Sequence, residues 1–309
     1  MRIVFFGTPH FAVPSLDALL DDGAQVVGVV TQPDQPQGRS RSTLVPPPVK
    51  QTALRRRLPV LQPDRPSGDV FLAALRHLRP DLGVVVAYGH ILKPAVLELP
   101  PRGMINLHAS LLPRLRGAAP INWAILRGDS ETGVTVMQME AGLDSGPVLR
   151  QAKIGIGPEE TAGALTERLA QLGAETLVEA VALLRKGALT ARLQNPAEAT
   201  FAPKIDRALT RVDWTEDAPA VSRRIRAFDP APGAWTTLGG VNVKLFRARP
   251  AGLEGAGRPG QVLSVEPVLR VATGRGVVEI AEAQPAGKSR MPAEAWSRGR
   301  GVLAGQVFA

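Results

Sequence analysis

Apolar positions in the first half of the chain alternate between two rhythms. "RIVFF" (Arg2–Phe6) is an apolar run that stops at Gly7, and "AQVVGVVT" (Ala24–Thr31) is a second one. Runs this short and this apolar predict strands buried on both faces. Between them, Phe11, Leu16, Leu19 and Leu20 fall at helical spacing. Strand, turn, helix and strand within about thirty residues predict a right-handed parallel crossover. The same alternation continues. Helices are predicted over Val49–Arg57, Phe71–Leu78 and Pro120–Leu126, and a long one, rich in Ala, Leu and Glu, over Thr161–Lys186. Strands are predicted over Asp81–Gly89, Gly103–Ala109 and Thr132–Met139. The first part of the chain therefore reads as an α/β domain, Rossmann-like, with a parallel sheet.

One stretch breaks the rhythm. "QPDQPQGRSRSTLVPPPVK", Gln32 to Lys50, is too rich in Pro and polar residues to predict regular structure. Loops this long inside a compact domain are uncommon and tend to be functional or disordered. After Gly187 the pattern changes again. A linker-like segment precedes a short amphipathic helix over Ala218–Phe228. Short strands broken by Gly and Pro then follow at Gly240–Arg247, Gly260–Val265, Val268–Thr273 and Gly276–Ala283. Close spacing of this kind predicts a small β-barrel or sandwich. The expected division is a catalytic domain over residues 1–187, a linker over 188–207 and a β domain over 208–309, and a length of 309 residues suits two domains.

Composition narrows the setting. Hydrophobic residues make up 44% and charged residues 21%, and cysteine is absent. Disulfides, a cysteine nucleophile and thiolate metal sites are excluded, in keeping with a reducing cytoplasm. No apolar run reaches the ~18 residues of a spanning helix. The apolar start of "MRIVFFGTPHF" is shorter than the ~7–15-residue core of a signal peptide. A soluble cytoplasmic protein with no membrane partner is expected. Net charge is +9, and residues 208–309 carry 14 Lys+Arg against 9 Asp+Glu. An excess of this sign suggests an anionic partner, nucleic acid first, although a generally Arg-rich proteome would give the same balance.

The candidate chemistry lies in "MINLHASLLPRLRGAAPINWAI", Met104 to Ile125. An apolar strand ends on Asn106 and His108, and residues two apart on a strand point to one side. Ligands of open α/β sheets bind at the C-terminal ends of the strands. Asp144, in the Gly-rich turn of "MEAGLDSGPVL", is placed to reach the same cleft. Asn can donate to an oxygen that gains charge, His can move a proton near neutrality, and Asp can orient the His or a water. Such a set suits direct acyl-type transfer through a tetrahedral intermediate. Two polar residues that merely cap a strand end would give the same pattern. A Ser–His–Asp hydrolase is open by composition, with Ser110 and Ser145 nearby, although neither stands in a G-x-S-x-G elbow. There is no G-x-G-x-x-G after the first strand and no phosphate-binding P-loop. His10, His77, His90 and His108 show no metal-ligand spacing, so no metal is expected.

The blocks "FFGTPHFAVPSLDAL", "VVTQPDQPQGR", "VVVAYGHILKPAVLELP", "INLHASLLPRLRGAAPINWAI" and "ETGVTVMQMEAGLDSGPVL" occur in that order. "IDRALTRVDWTEDAPAVSRRIRAFDPAPGAW" and "QPAGKSRM" follow. Together they resemble the methionyl-tRNA formyltransferases, a branch of the folate-dependent formyltransferase family. The resemblance covers nearly the whole chain. It implies a formyltransferase fold with a C-terminal OB-like barrel. It also implies transfer of the formyl group of 10-formyltetrahydrofolate to the α-amino group of methionyl initiator tRNA, in translation initiation. Asn106, His108 and Asp144 match the family's catalytic residues. Ser110, Leu111, Leu112 and Pro113 match its folate-binding stretch. Val86, Tyr88, Gly89 and Ile91 match the wall of its pterin pocket, through main-chain contacts. The loop Gln32–Lys50 matches an insertion that meets the tRNA acceptor stem, with Arg39, Arg41 and Lys50 as contacts. Relatives carry "GRGKK" where this chain has "GRSRS". Arg223, Arg224, Lys244, Lys288 and Arg290 are the tRNA candidates of the C-terminal domain. A monomer is expected. Two other readings are carried along: a formyltransferase for a small amine, such as a sugar nucleotide or glycinamide ribonucleotide, and a non-catalytic RNA-binding protein.

Overall fold

Arg2–Gly7 forms β1, and its apolar residues place it inside a sheet, as expected of a run with no polar face. The computed structural model describes residues 1–37, 43–252 and 257–309. It resolves two compact units, each assembled from separate stretches of chain. The first holds Met1–Gly117, Thr132–Ile154 and Thr166–Phe201; the second holds Ala118–Glu131, Gly155–Leu165 and Ala202–Ala309.

In the first unit the elements run α1 (Val13–Asp21), β2 (Gln25–Val30), β3 (Gln35–Gln37), β4 (Thr43–Val45), α2 (Pro48–Arg55) and β5 (Val60–Leu61). Next come α3 (Asp69–His77), β6 (Leu82–Val86), α4 (Pro94–Leu97) and β7 (Met104–His108). The chain passes through α5 (Pro120–Arg127), which belongs to the second unit, then forms β8 (Glu131–Gln138), β9 (Val148–Gly155) and α6 (Ala162–Arg185). The sheet order is β5-β2-β1-β6-β7-β8-β9. It is parallel from β5 to β7, as the crossover pattern predicted, and β8 adds to β7 antiparallel. On one side Val4, Phe6, Val30, Phe71, Leu75 and Val96 make a continuous core. Along α6, Leu165, Leu169, Leu177 and Val181 are fully buried at multiples of four residues, so one stripe is apolar. Gly173 continues that stripe and lies against Leu107 of β7.

The stretch Gln32–Lys50 holds more order than its composition predicted. β3 pairs antiparallel with β4, and α2 begins at Pro48. A two-stranded ribbon has only edges, so Pro36 is tolerated opposite Leu44. The base of the hairpin is pinned. Asp34 accepts from Lys50 Nζ at 2.8 Å and from Gln62 Nε2 at 2.8 Å. The Gln62 hydrogen bond first, then Lys50, holds the Asp34 carboxyl below the usual range.

The second unit is built on α7 (Ala218–Ala227), β10 (Ala234–Leu238), β11 (Val241–Pro250), β12 (Val262–Ser264), β13 (Leu269–Ala272), β14 (Val277–Pro285), β15 (Met291–Pro292) and α8 (Ala293–Arg298). The strand order is β10-β11-β14-β13-β12, all antiparallel, with β15 beside β14. The last residues link the two edges of this sheet. Phe308 bridges to Leu238 of β10, and Val307 bridges to Gln261 beside β12. That closure makes the sheet an OB-like barrel. Its core combines Val221, Ile225 and Phe228 with Leu245, Ile280 and Phe308. Phe308 is 2% exposed and stacks on Trp214 with ring centroids 5.5 Å apart. Phe308→Ala is expected to destabilise this unit by about 3–5 kcal/mol. A fall in the denaturant midpoint, followed by tryptophan fluorescence, is the measurement that checks it.

Candidate active site

β7 lies inside the sheet, between β6 and β8. Asn106 stands opposite Val85 on one side and Met137 on the other, and His108 stands opposite Thr135. The strand supplies two polar side chains on one face at its C-terminal end. Asn106 is half-buried, and among the described residues its amide has no protein partner. His108 is 7% exposed and held from both sides.

His108 Nε2 lies 2.9 Å from the Leu115 carbonyl, and a carbonyl only accepts. Nε2 therefore carries a hydrogen. Nδ1 is left facing Asp144 Oδ2 at 3.7 Å. A proton taken up at Nδ1 meets a carboxylate directly, which suits a group that gains and loses a proton during turnover.

Both flanking residues have unusual backbones. Leu115 has φ +58° and Asp144 has φ +46°. The left-handed region is uncommon for residues other than glycine, and Asp tolerates it better than Leu. Such conformations persist where neighbours over-determine them. Here the neighbours are explicit. Asp144 Oδ2 accepts from the Gly117 amide at 2.8 Å. Gln194 Nε2 donates to the carbonyls of Asp144 and Gly146, at 2.9 and 2.7 Å. Gln194 Oε1 in turn accepts from Arg116 at 2.7 Å. Leu115 donates its amide to Thr200 Oγ1 at 2.9 Å, and Arg116 donates its amide to the Thr200 carbonyl at 2.8 Å. Gly146 has no room for a side chain, since a Cβ there would lie 1.9 Å from the Gln138 carbonyl.

The segment Ser110–Pro113 folds into a tight turn. Ser110 Oγ donates to the Arg114 carbonyl at 2.6 Å, so its hydroxyl is spent inside the turn. This disfavours Ser110 as a nucleophile. Leu112 packs with Met137 and Val148. Its carbonyl accepts from Gln151, and its amide donates to Thr135 Oγ1. Leu111 and Pro113 are half-buried.

Beside it, β6 ends at Val86, opposite Leu107. Tyr88 turns its ring inward against Phe6 at 5.4 Å, and burial pushes its phenol up to about 12. Its carbonyl accepts from Thr8 Oγ1 and Gln32 Nε2, both at 3.0 Å. Tyr88 is thus a core residue whose polar main-chain atom is already engaged. Of the site residues expected in this stretch, Gly89, at φ +86°, and Ile91, 92% exposed, are the ones that face outward.

Arg39 and Arg41 lie outside the described residues. Lys50 sits on α2 in its ion pair with Asp34. Arg224 is paired with Glu216 at 2.9 Å, and Arg290 with Asp229 at 2.8 Å, with its guanidinium over the Phe246 ring at 4.1 Å. Lys244 and Lys288 are exposed. Lys244 lines a cavity of about 440 Å³ with Trp235, Arg207 and Asn242. Arg223 is half-buried on α7. Arg116, Gln194 and Thr200 were not singled out in the sequence. Arg116-Gly117 was a visible signal, but Gln194 and Thr200 fall in a stretch that reads as linker. Among the described residues, no group of three or more His, Asp or Glu could hold a metal ion.

A formyl transferase model matches residues 1–181, and a model of the formyl transferase C-terminal domain matches residues 204–301. The chain belongs to the formyl transferase family. Within it, a protein of Stutzerimonas stutzeri named methionyl-tRNA formyltransferase is 51% identical over 93% of this chain and 91% of its own length. One of Methylococcus capsulatus with the same name is 48% identical over 95% of each chain. Among solved structures, the methionyl-tRNA formyltransferase of Clostridium thermocellum covers 81% of this chain and 93% of its own, with a TM-score of 0.57 at 14% identity. WlaRD, a sugar 3N-formyl transferase, covers 94% and 99% with a TM-score of 0.70 at 18% identity. At those identities the structures speak for the fold alone.

Proposed function

We propose that this protein transfers the formyl group of 10-formyltetrahydrofolate to the α-amino group of methionyl initiator tRNA, in translation initiation. The convergence of Asn106, His108 and Asp144 at one strand end carries the reaction. Relatives alike over nearly their full length, all named for methionyl-tRNA formylation, support the acceptor. The amine nitrogen attacks the formyl carbon, and the formyl oxygen gains negative charge. The carbon–nitrogen bond to the folate then breaks, and the folate nitrogen takes up a proton. The Asn106 amide, free of protein partners among the described residues, donates to the charged oxygen. His108 relays the amine proton through Nδ1, and Asp144 steadies the charged imidazole. Gln194 and Arg116 hold Asp144 in place.

The folate lies along the main chain of Val86–Gly89 and the Ile91 side chain, with the Ser110–Pro113 turn beneath it. The outward-facing apolar Ile91 suits the edge of a pterin. Arg39 and Arg41 of the Gln32–Lys50 stretch, and Lys244 and Lys288 on the barrel, meet phosphates of the tRNA. Lys50 serves that surface indirectly, by fixing the hairpin. Arg224 and Arg290 serve it by holding the barrel together. The division into a catalytic domain and a tRNA-binding barrel, a monomeric state and a cytoplasmic setting belong to the same reading. Among the described residues no helix is long and apolar enough to cross a membrane.

The test offers 10-formyltetrahydrofolate with charged initiator Met-tRNA, elongator Met-tRNA or free methionine. Formylation of the initiator species alone is the expected result. Equal transfer to free amines, or none to any acceptor, would overturn the assignment.

A further inference from the structure

Arg223 and Arg226 stand one turn apart on α7 and face one cavity of about 370 Å³, which Gly128, Asp129, Ser130 and Gly157 also line. Arg226 is 7% exposed. It donates to the Glu160 carbonyl at 2.9 Å and, more loosely, to Ser222 Oγ at 3.4 Å. Among the described residues neither arginine has a carboxylate within ion-pair distance. The Nε of Arg223 is buried and has no hydrogen-bond partner. Asp129 is not free to serve, because it has an interaction of its own. Glu160 turns its carboxylate to the Gly157 amide at 2.8 Å. Burial first, and then the charge of Arg223, push the Arg226 guanidinium down from its ordinary value, while Glu159 and Glu160 oppose this at longer range.

Two guanidinium groups side by side, one of them buried and neither in a direct ion pair, make an expensive arrangement. A buried donor without a partner asks for one. Arginine remains charged under such pressure and presents a planar fork that fits oxyanions. We propose that this cavity is a binding site for a phosphate group, held jointly by Arg223 and Arg226. A water takes up about 30 Å³, so the cavity admits a tetrahedral oxyanion and several waters. The phosphate belongs either to free inorganic phosphate or to a nucleic-acid backbone. The site itself does not depend on the formyl-transfer reading; only the choice between these sources draws on it.

The test titrates the full chain with inorganic phosphate by calorimetry, in chloride buffer matched for ionic strength. Wild type is expected to bind saturably. Arg223→Gln should weaken binding by about 10–100-fold, as for loss of a charge-assisted hydrogen bond. Arg298→Gln, an exposed charge on α8, should leave it unchanged. Absence of saturable binding to wild type would overturn the proposal, as would equal weakening by Arg298→Gln. If Arg223→Gln fails to unfold cooperatively, Arg223→Lys replaces it. That variant keeps the charge but loses the fork, and wild-type affinity in it would also overturn the proposal. A second arm measures initiator tRNA affinity with saturating phosphate against isoionic chloride. Competition assigns the site to a backbone phosphate, and its absence assigns it to the free anion. In both cases the site stands.

Discussion

His108→Ala is expected to lower kcat for formyl transfer by about 10²–10⁴-fold, the range for loss of a positioned acid–base group. The ring is packed between the Leu115 carbonyl and the Asp144 carboxylate, so no neighbouring group can take its place. Asn106→Ala removes a donor to the charged oxygen and should cost about 10²–10³ in kcat. The double variant should fall little below the worse single one, because residues acting on one transition state are not additive. KM for either substrate should change much less. Steady-state kinetics with initiator Met-tRNA settles the matter. If both variants keep kcat within a factor of a few, Asn106 and His108 only finish a strand, and the chemistry lies elsewhere.

Gly146→Ala should be nearly as damaging, although residue 146 touches no substrate in the proposed mechanism. The added Cβ would fall 1.9 Å from the Gln138 carbonyl, and backbone cannot yield as a side chain tip can. The turn must move outward. Asp144 and Gly146 hang from the same Gln194 amide, so that movement carries Asp144 away from His108. A displacement near 1 Å in a catalytic group costs about 10²-fold. Overpacking adds about 1–3 kcal/mol of destabilisation. The signature is a loss of kcat in a protein that remains folded at assay temperature, shown by its thermal unfolding curve. Wild-type kcat in Gly146→Ala would mean that the 142–147 turn tolerates movement and that Asp144 has no positional role.

Where a segment is apolar throughout, as in β1, β2 and β6, its pattern alone located it. Elements with weaker patterns escaped. β9, "VLRQAKIG", is only half-buried at the sheet's edge and carries charges outward, so the sequence marks it only as a strand-like segment after the Gly-rich turn, without bounds. β10, "AWTTL", is short and mixed. The hairpin of β3 and β4 has no hydrophobic alternation, because its order comes from Lys50, Asp34 and Gln62. The same contrast runs through the site. Asn106 and His108 were legible because polar residues at the end of an apolar strand are conspicuous. Tyr88 lay within the right stretch, but one-dimensional pattern does not tell an inward ring from an outward one. Gln194 and Thr200 lie far along the chain from His108, in a segment with linker composition. Only folding back along the first unit brings them to Asp144 and Leu115.

The two compact units are not consecutive along the chain. The polypeptide passes from one to the other five times, at residues 117/118, 131/132, 154/155, 165/166 and 201/202. One passage follows directly on Arg116 and Gly117, and another opens β8. A chimera joined near residue 200 with a relative's barrel would therefore inherit α5 from the wrong parent. Asn122 of that helix donates to the Ala227 carbonyl on α7 at 2.7 Å, and Leu126 packs on the barrel core. Recombination or gene splitting in this protein has to treat residues 118–131 and 155–165 as cargo of the C-terminal half. A single crossover point cannot deliver them there.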